Sequence, residues 1–372
     1  MDVRSNDQTW EQTHHALVPL MRVDNFTNIA YIAREYLGLS LTLGCCAFLL
    51  QSYRSGQISL LAMIPLAIVG MATIAAFQHR LSGLAHDASH YTLFKNKLVN
   101  ELASDLLLMF PIVAMTQKYR TAHLGHHQHV NDPLRDPDLI RLNHPVAQKF
   151  PISKATFWMR YVLKSLWPPA TLGYLFGRAK AANMDSGTEA KPIRTVYRMK
   201  VARSIRGAYW LSLLATVQIL QAWPLFWLFW VTPLLTFYPL FMLLREIAHH
   251  SNAPDDGDFT NSRVFQVHPL LEAVVFPYGQ AFHLTHHLFA MIPHFRSSQA
   301  HDILMNYALY RENVIVCRGY FFRTIGTDGP SVLDVLEHGL KRSKSNMIMH
   351  PPHPGGTERG STTPPHRVNS EL

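Results

Sequence analysis

The sequence predicts an all-α, multi-pass membrane protein: four transmembrane helices in two hairpins, with a helical cap on one face of the membrane. Three observations predict it. The 20 residues "ISLLAMIPLAIVGMATIAAF", 58–77, carry no charge, and about 20 such residues cross a hydrocarbon core of about 30 Å. A second apolar block runs from 208 to 244, long enough for two spans. Charged residues make up only 16% of the chain, below the roughly 25% of ordinary soluble domains.

The elements follow in order. Residues 1–27 form a polar, mixed segment without the basic start, apolar core and small-residue cleavage site of a signal peptide. An apolar run covers 30–50; Arg34 and Glu35 lie near its start, so its clean part is 36–50. The short "QSYRSGQ" joins it to 58–77, which makes the first hairpin. Residues 98–115 contain Glu101, Asp105 and Pro111. They make a poor span and read as an interfacial or re-entrant helix with both flanks on one side. The segment 156–177 mixes aromatics with scattered cations and is broken by Pro168 and Pro169, the pattern of an interfacial segment. Between 178 and 206 the chain is basic, with Arg178, Lys180, Lys191, Arg194, Arg198, Lys200, Arg203 and Arg206. The block 208–244 then supplies the second hairpin, turning near "QAWP", 221–224. Residues 28–340 thus form one membrane domain. The Pro-, Gly-, Ser- and Thr-rich tail 341–372 is expected to be disordered.

Charge sets the orientation. The basic loop between the hairpins belongs in the cytoplasm by the positive-inside rule. The N-terminus and everything after 245 then lie on that side too. This accounts for a net charge of +9 without nucleic acid, since no basic stripe with interleaved stacking aromatics is present. The three cysteines, Cys45, Cys46 and Cys317, form no CxxC spacing and argue against both a disulfide framework and thiolate metal ligation. A metal here has to use imidazole and carboxylate, and the chain holds 22 histidines.

Three histidine clusters stand out on the cytoplasmic side: "HDASH" at 86–90, "HLGHH" at 123–127 and "HLTHH" at 283–287. Positions three and four apart share a helix face, so His86 and His90 can point to one place. In each Hx2HH, the first histidine faces the two later ones. The eight imidazoles of His86, His90, His123, His126, His127, His283, His286 and His287 exceed the four ligands of tetrahedral zinc. They suit two ions of five- or six-fold coordination, as helical bundles build them. Asp87, Asp136 and Asp138 are candidates to orient ligand imidazoles, because a metal-bound histidine donates its other N–H to a carboxylate or carbonyl. His129 faces away from the 123/127 stripe. His79, His144, His268, His294 and His301 read as structural or exposed.

These boxes, with "YRTAHLGHHQHVNDPLRDPDL" around the second and "HLTHHLFAMIPHF" at the third, resemble the integral-membrane fatty acid desaturase and hydroxylase family. The resemblance covers about residues 60–310. It implies a di-iron centre in the cap, O2 as co-substrate, and desaturation of the acyl chain of a fatty acid or lipid, with hydroxylation as the alternative. It also implies one more histidine after the last span. In "LREIAHHSN", 244–252, the family's Arg, three residues, Glu-His pattern selects His250, with His249 where Glu is common. Glu246, one turn before His250, is a candidate to hold a metal-bound water. "HPGG" at 353–356 matches the haem-ligand signature of a fused cytochrome b5 domain, but its Pro-rich surroundings cannot form a packed core. Electrons are therefore expected from a separate ferredoxin-, rubredoxin- or cytochrome-type protein with its reductase. A histidine-rich metal transporter is the competing class. It requires ionisable ligands within the spans, and 58–77 and 208–244 are nearly free of them.

Overall fold

The computed structural model describes residues 7–132, 134–138, 150–181, 195–253 and 257–338. Its order is α1 (Trp10–Leu17), α2 (Thr27–Arg54), α3 (Leu60–Ser89), α4 (Lys97–Ala103), α5 (Thr116–Gln128), α6 (Lys154–Phe157), α7 (Pro168–Ala181), α8 (Met199–Ile219), α9 (Trp223–His250), β1 (Val264–Phe265), α10 (Pro269–Val275), α11 (His283–Leu288), α12 (Ser297–Leu304), α13 (Ala308–Asn313), β2 (Val316–Cys317) and α14 (Val332–His338). The two short strands pair in parallel, Val264 with Val316 and Phe265 with Cys317.

Among the described residues three helices are long and apolar enough to cross a membrane: α2, α3 and α9. α2 and α3, the candidate spans of the expected first hairpin, pack together, and α2 is longer than its clean run. It includes Glu35, which is 1% exposed and receives both Nε and Nη2 of Arg80 at 2.7 Å. That bidentate pair lets the charge sit inside the helix pair. The second apolar block divides at the expected turn, between α8 and α9, with Gln221 at φ 51°. α8 does not reach the hydropathy of the other three; its first half carries Lys200, Arg203 and Arg206.

Length explains how the candidate spans extend past their apolar halves. α3 has 30 residues, about 45 Å at 1.5 Å each, against a hydrocarbon core of about 30 Å. Its first half turns Leu61, Ile64, Leu66 and Val69 outward, as lipid-facing side chains do. Its last turns are enclosed by protein, from Leu81 to Ser89. α9 repeats the design. A π-helical turn at Trp227–Val231 and a break at Thr236 (φ −130°, ψ −85°) precede the straight segment Phe237–His250, whose end is buried. Gly70 allows close helix approach: a Cβ there would lie 2.8 Å from Cys46 Sγ.

The segment 98–115 is α4 continued by a π-helical turn, Ser104–Met109. Its acidic residues are buried and paired. Asp105 Oδ1 accepts the backbone N–H of Thr116 at 2.9 Å, which caps α5, while its Oδ2 accepts Tyr197 O–H. The N-terminal segment contains α1, packed through Leu17 and Trp10 against Phe259, Phe289, Tyr307 and Tyr310. The segment 156–177 has outward-facing Met159, Leu163, Trp167, Leu172 and Phe176. Its helix breaks at Trp167, just before Pro168. Lys191, Arg194, His144, the "HPGG" stretch and the tail 341–372 lie outside the described residues.

Candidate metal centre

The three boxes meet at the buried ends of α3 and α9. His86 ends α3 and His90 follows it; His123, His126 and His127 lie on α5; His250 ends α9; His283, His286 and His287 lie on α11. Nitrogens of His86, His90, His123 and His286 lie within 4.8 Å of one another, and so do those of His126, His250, His283 and His287. His127 joins the first group, with its Nε2 3.1 Å from His123 Nε2 and 2.9 Å from His286 Nε2.

Helix geometry explains the partition. Residues i and i+4 lie about 40° apart around a helix, whereas i+3 and i+4 differ by about 100°. His123 and His127 therefore turn to the first group and His126 to the second. α11 is the mirror case: His283 and His287 turn to the second group and His286 to the first. Each Hx2HH box thus serves both groups, which corrects the expectation that the first histidine faces both later ones: it shares its group only with the histidine four residues on.

The nitrogens fit two cations. Beyond the two His127 contacts, Nε2–Nε2 separations are 2.8 Å for His90–His123 and for His250–His283, 3.1 Å for His283–His287 and 3.2 Å for His126–His287. Two nitrogens about 2.1 Å from one ion and at right angles are about 3.0 Å apart. Hydrogen bonds alone fit less well. His123 Nε2 meets both His90 and His127, and His283 Nε2 meets both His250 and His287. One ring nitrogen has a single in-plane proton or lone pair for such a contact. Among the described residues neither ring nitrogen of buried His86 has a hydrogen-bond partner. Burial, with the crowding of neighbouring imidazoles, holds His90, His123, His127, His283, His286 and His287 well below the ordinary histidine pKa. They are neutral at physiological pH, the form that binds metal.

Further contacts aim the rings. His126 Nδ1–H donates to Asp136 Oδ1 at 2.8 Å, and His250 Nδ1–H donates to the carbonyl of Asn261 at 3.1 Å. Each bond leaves the Nε2 lone pair facing inward. Asp136 is itself anchored by the backbone N–H groups of Asn131 and Asp138, so Asp138 contributes through its backbone to that anchor. Asp87 has a different partner. Its Oδ2 accepts the backbone N–H of His294, and its Oδ1 stands 3.9 Å from His86 Nδ1. Glu246 Oε2 accepts Tyr174 O–H at 2.8 Å and its Oε1 pairs with Arg178, so this carboxylate is already bonded within the protein. His249 lies outside both groups. Its Nε2–H donates to Gln280 O at 3.0 Å, and its ring stacks on His283 at 3.6 Å between centroids.

Two buried arginines, not singled out by the sequence, hold the box-bearing ends together. Arg120 on α5 donates to the carbonyls of Ala88 and Ser89 at the end of α3 and pairs with buried Glu101. Arg263 donates to the carbonyls of Ala248 and Ser251 at the end of α9. Cations suit helix C-termini, where carbonyls lack helical partners. The signal was present in "YRTAHLGHH" and "NSRVF", but the partners lie too far along the chain to be read from it. The other histidines have structural roles or surface positions. His79 bonds Val274 O, His294 bonds Asn28, His301 bonds Tyr310 O–H, and His268 is exposed. His129 is half-buried at the end of α5, outside both groups.

Candidate membrane helices whose buried ends gather with neutral imidazoles in two adjacent groups point to a class, the histidine-box membrane oxidoreductases. The comparison with protein families agrees: the fatty acid desaturase family matches residues 61–319, and the chain belongs to that family. It is also 28% identical over 339 residues to the dihydrorhizobitoxine desaturase of Bradyrhizobium elkanii, covering 87% of each chain.

Proposed function

We propose that the protein is an O2-dependent membrane desaturase that uses two iron ions to introduce a double bond into the acyl chain of a fatty acid or other lipid. The observation that carries this reading is the partition of nine buried or half-buried histidines into two groups with metal-like nitrogen spacings. His86, His90, His123, His127 and His286 would hold one iron; His126, His250, His283 and His287 would hold the other. The irons, when bound, supply the O2-derived oxidising power that an unactivated C–H bond requires. The chain's part is placement. Asp136 holds His126, Asn261 holds His250, and the burial of the site keeps bulk water from the reacting carbon.

Reduction of O2 to water takes two electrons from the substrate C–H bonds. The other two come from an external ferredoxin-, rubredoxin- or cytochrome-type donor and its reductase. In this reading α8 is a fourth span pairing with α9, and the boxes and both termini face the cytoplasm, where the donor docks. The placement supports it: the first box and His250 lie at the buried ends of the long apolar helices α3 and α9, and the other two boxes meet them there, so an apolar substrate and a soluble donor can reach the centre from opposite sides. The family and the relative's name both favour desaturation over hydroxylation.

Gas chromatography–mass spectrometry of the lipids and aliphatic acids of a host expressing the protein tests this. A new unsaturated species, missing with His126→Ala, is expected. An identical profile in the two strains contradicts the reading.

A further inference from the structure

An apolar surface lies away from the long helices, on the loop that follows β2. Phe322 and Ile325 there are 79% and 99% exposed. The loop is nevertheless firmly built. Thr324 N–H donates to Arg318 O at 2.9 Å, and Arg323 Nε–H donates to Asp334 Oδ2 at 2.7 Å. Gly319, at φ 109°, leaves open the space that Phe322 O occupies. Phe321 stacks on Trp158 with 4.8 Å between ring centroids. The two apolar side chains are thus held outward rather than left loose.

Trp158 joins the loop to outward-facing Met159, Leu163 and Trp167. A contiguous exposed apolar patch marks an interaction site, where a single exposed residue does not. Its level identifies what it meets. Tyr320 O–H donates to Leu244 O at 2.7 Å, and Phe157 and Tyr161 share a core cluster with Leu240 and Leu244. Leu244 closes the apolar run of α9, a candidate span, just before Arg245. The patch therefore lies level with the end of that run, where lipid tails give way to headgroups. The composition agrees. Exposed Arg160 and Lys164 each follow an exposed apolar residue, Met159 and Leu163, and Arg323 stands between Phe322 and Ile325. Cations and aromatics interleaved with aliphatic side chains suit that boundary, whereas the core of a protein–protein interface is depleted of charge. Of the nearby acids, Asp334 is taken up by Arg323 and Lys154, and Asp328 follows the tip.

We infer that the loop 319–327 is a membrane anchor: Phe322 and Ile325 enter the lipid beside the segment 158–167, and Arg323 stays among the headgroup phosphates. A part of the chain well beyond the last candidate span then touches the bilayer, and through Tyr320 it braces the end of α9 that carries His250.

The test uses the full chain, one copy per nanodisc of phosphatidylcholine and phosphatidylglycerol. Cys45 is exposed and is replaced by serine, while Cys46 and Cys317 are buried. Ile325→Cys in that background is labelled with the environment-sensitive fluorophore NBD, and so is Asp302→Cys, an exposed position on α12. The label at 325 should emit further to the blue than the one at 302. Nitroxide-bearing lipid should quench it at least about twofold more than aqueous iodide does, as for a side chain about 5–10 Å into the boundary, with the order reversed at 302. Phe322→Cys should repeat the result of 325. Quenching by iodide as strong at 325 as at 302 overturns the inference. So does a label at 325 shielded from both quenchers, because protein rather than lipid then covers the loop.

Discussion

His249 and His250 are neighbours with separate tasks. His250 points its Nε2 to within 2.8 Å of His283 Nε2, while His249 lies against the His283 ring and beside the stacked pair Phe265 and Phe276. Adjacent helix positions differ by about 100°, which is enough to send one ring into the centre and the other into the packing beside it. His250→Ala should therefore lower bound iron from two per chain to one or fewer. His249→Ala should keep both irons and cost about 2–4 kcal/mol of stability through the cavity it leaves. Metal analysis with thermal unfolding of the two variants checks this; equal loss of iron in both would count against the assignment. The box histidines were legible because three- and four-residue spacings are local. The carboxylate partners were legible only as candidates. Asp136 reaches His126, whereas Asp87 turns to His294 and Glu246 to Arg178, and no spacing rule distinguishes these.

At the scale of elements, the centre depends on where α3, α5 and α9 end. Arg120 ties α5 to the last carbonyls of α3, and Arg263 does the same for α9. Arg120→Met removes those bonds and leaves Glu101 a buried carboxylate without its cation. A loss of about 3–5 kcal/mol is expected, read as a lowered midpoint of chemical unfolding in detergent. An unchanged midpoint would mean that the pair is dispensable. The first hairpin and the turn near 221–224 could be read from hydropathy, because lipid imposes length and apolarity. The π-helical turns of α4 and α9 could not, because they answer to neighbours in the fold. Glu35, Glu101 and Asp105 looked like interruptions of apolar runs; each is instead paired with Arg80, Arg120 or the N-terminus of α5.

Across the whole molecule, an apolar half turns leucines outward and the described polar groups beyond it are mostly partnered. The fold brings residues as far apart as His86 and His287 into one small volume, and neutral imidazoles supply the binding atoms. We read that arrangement as built for two cations. The central claim is accordingly tested most directly by metal analysis of the protein purified from iron-replete cells under mild detergent. The account predicts two irons per chain, falling below one when His126 and His286 are both replaced by alanine. A single ion per chain, or zinc in place of iron, would contradict it.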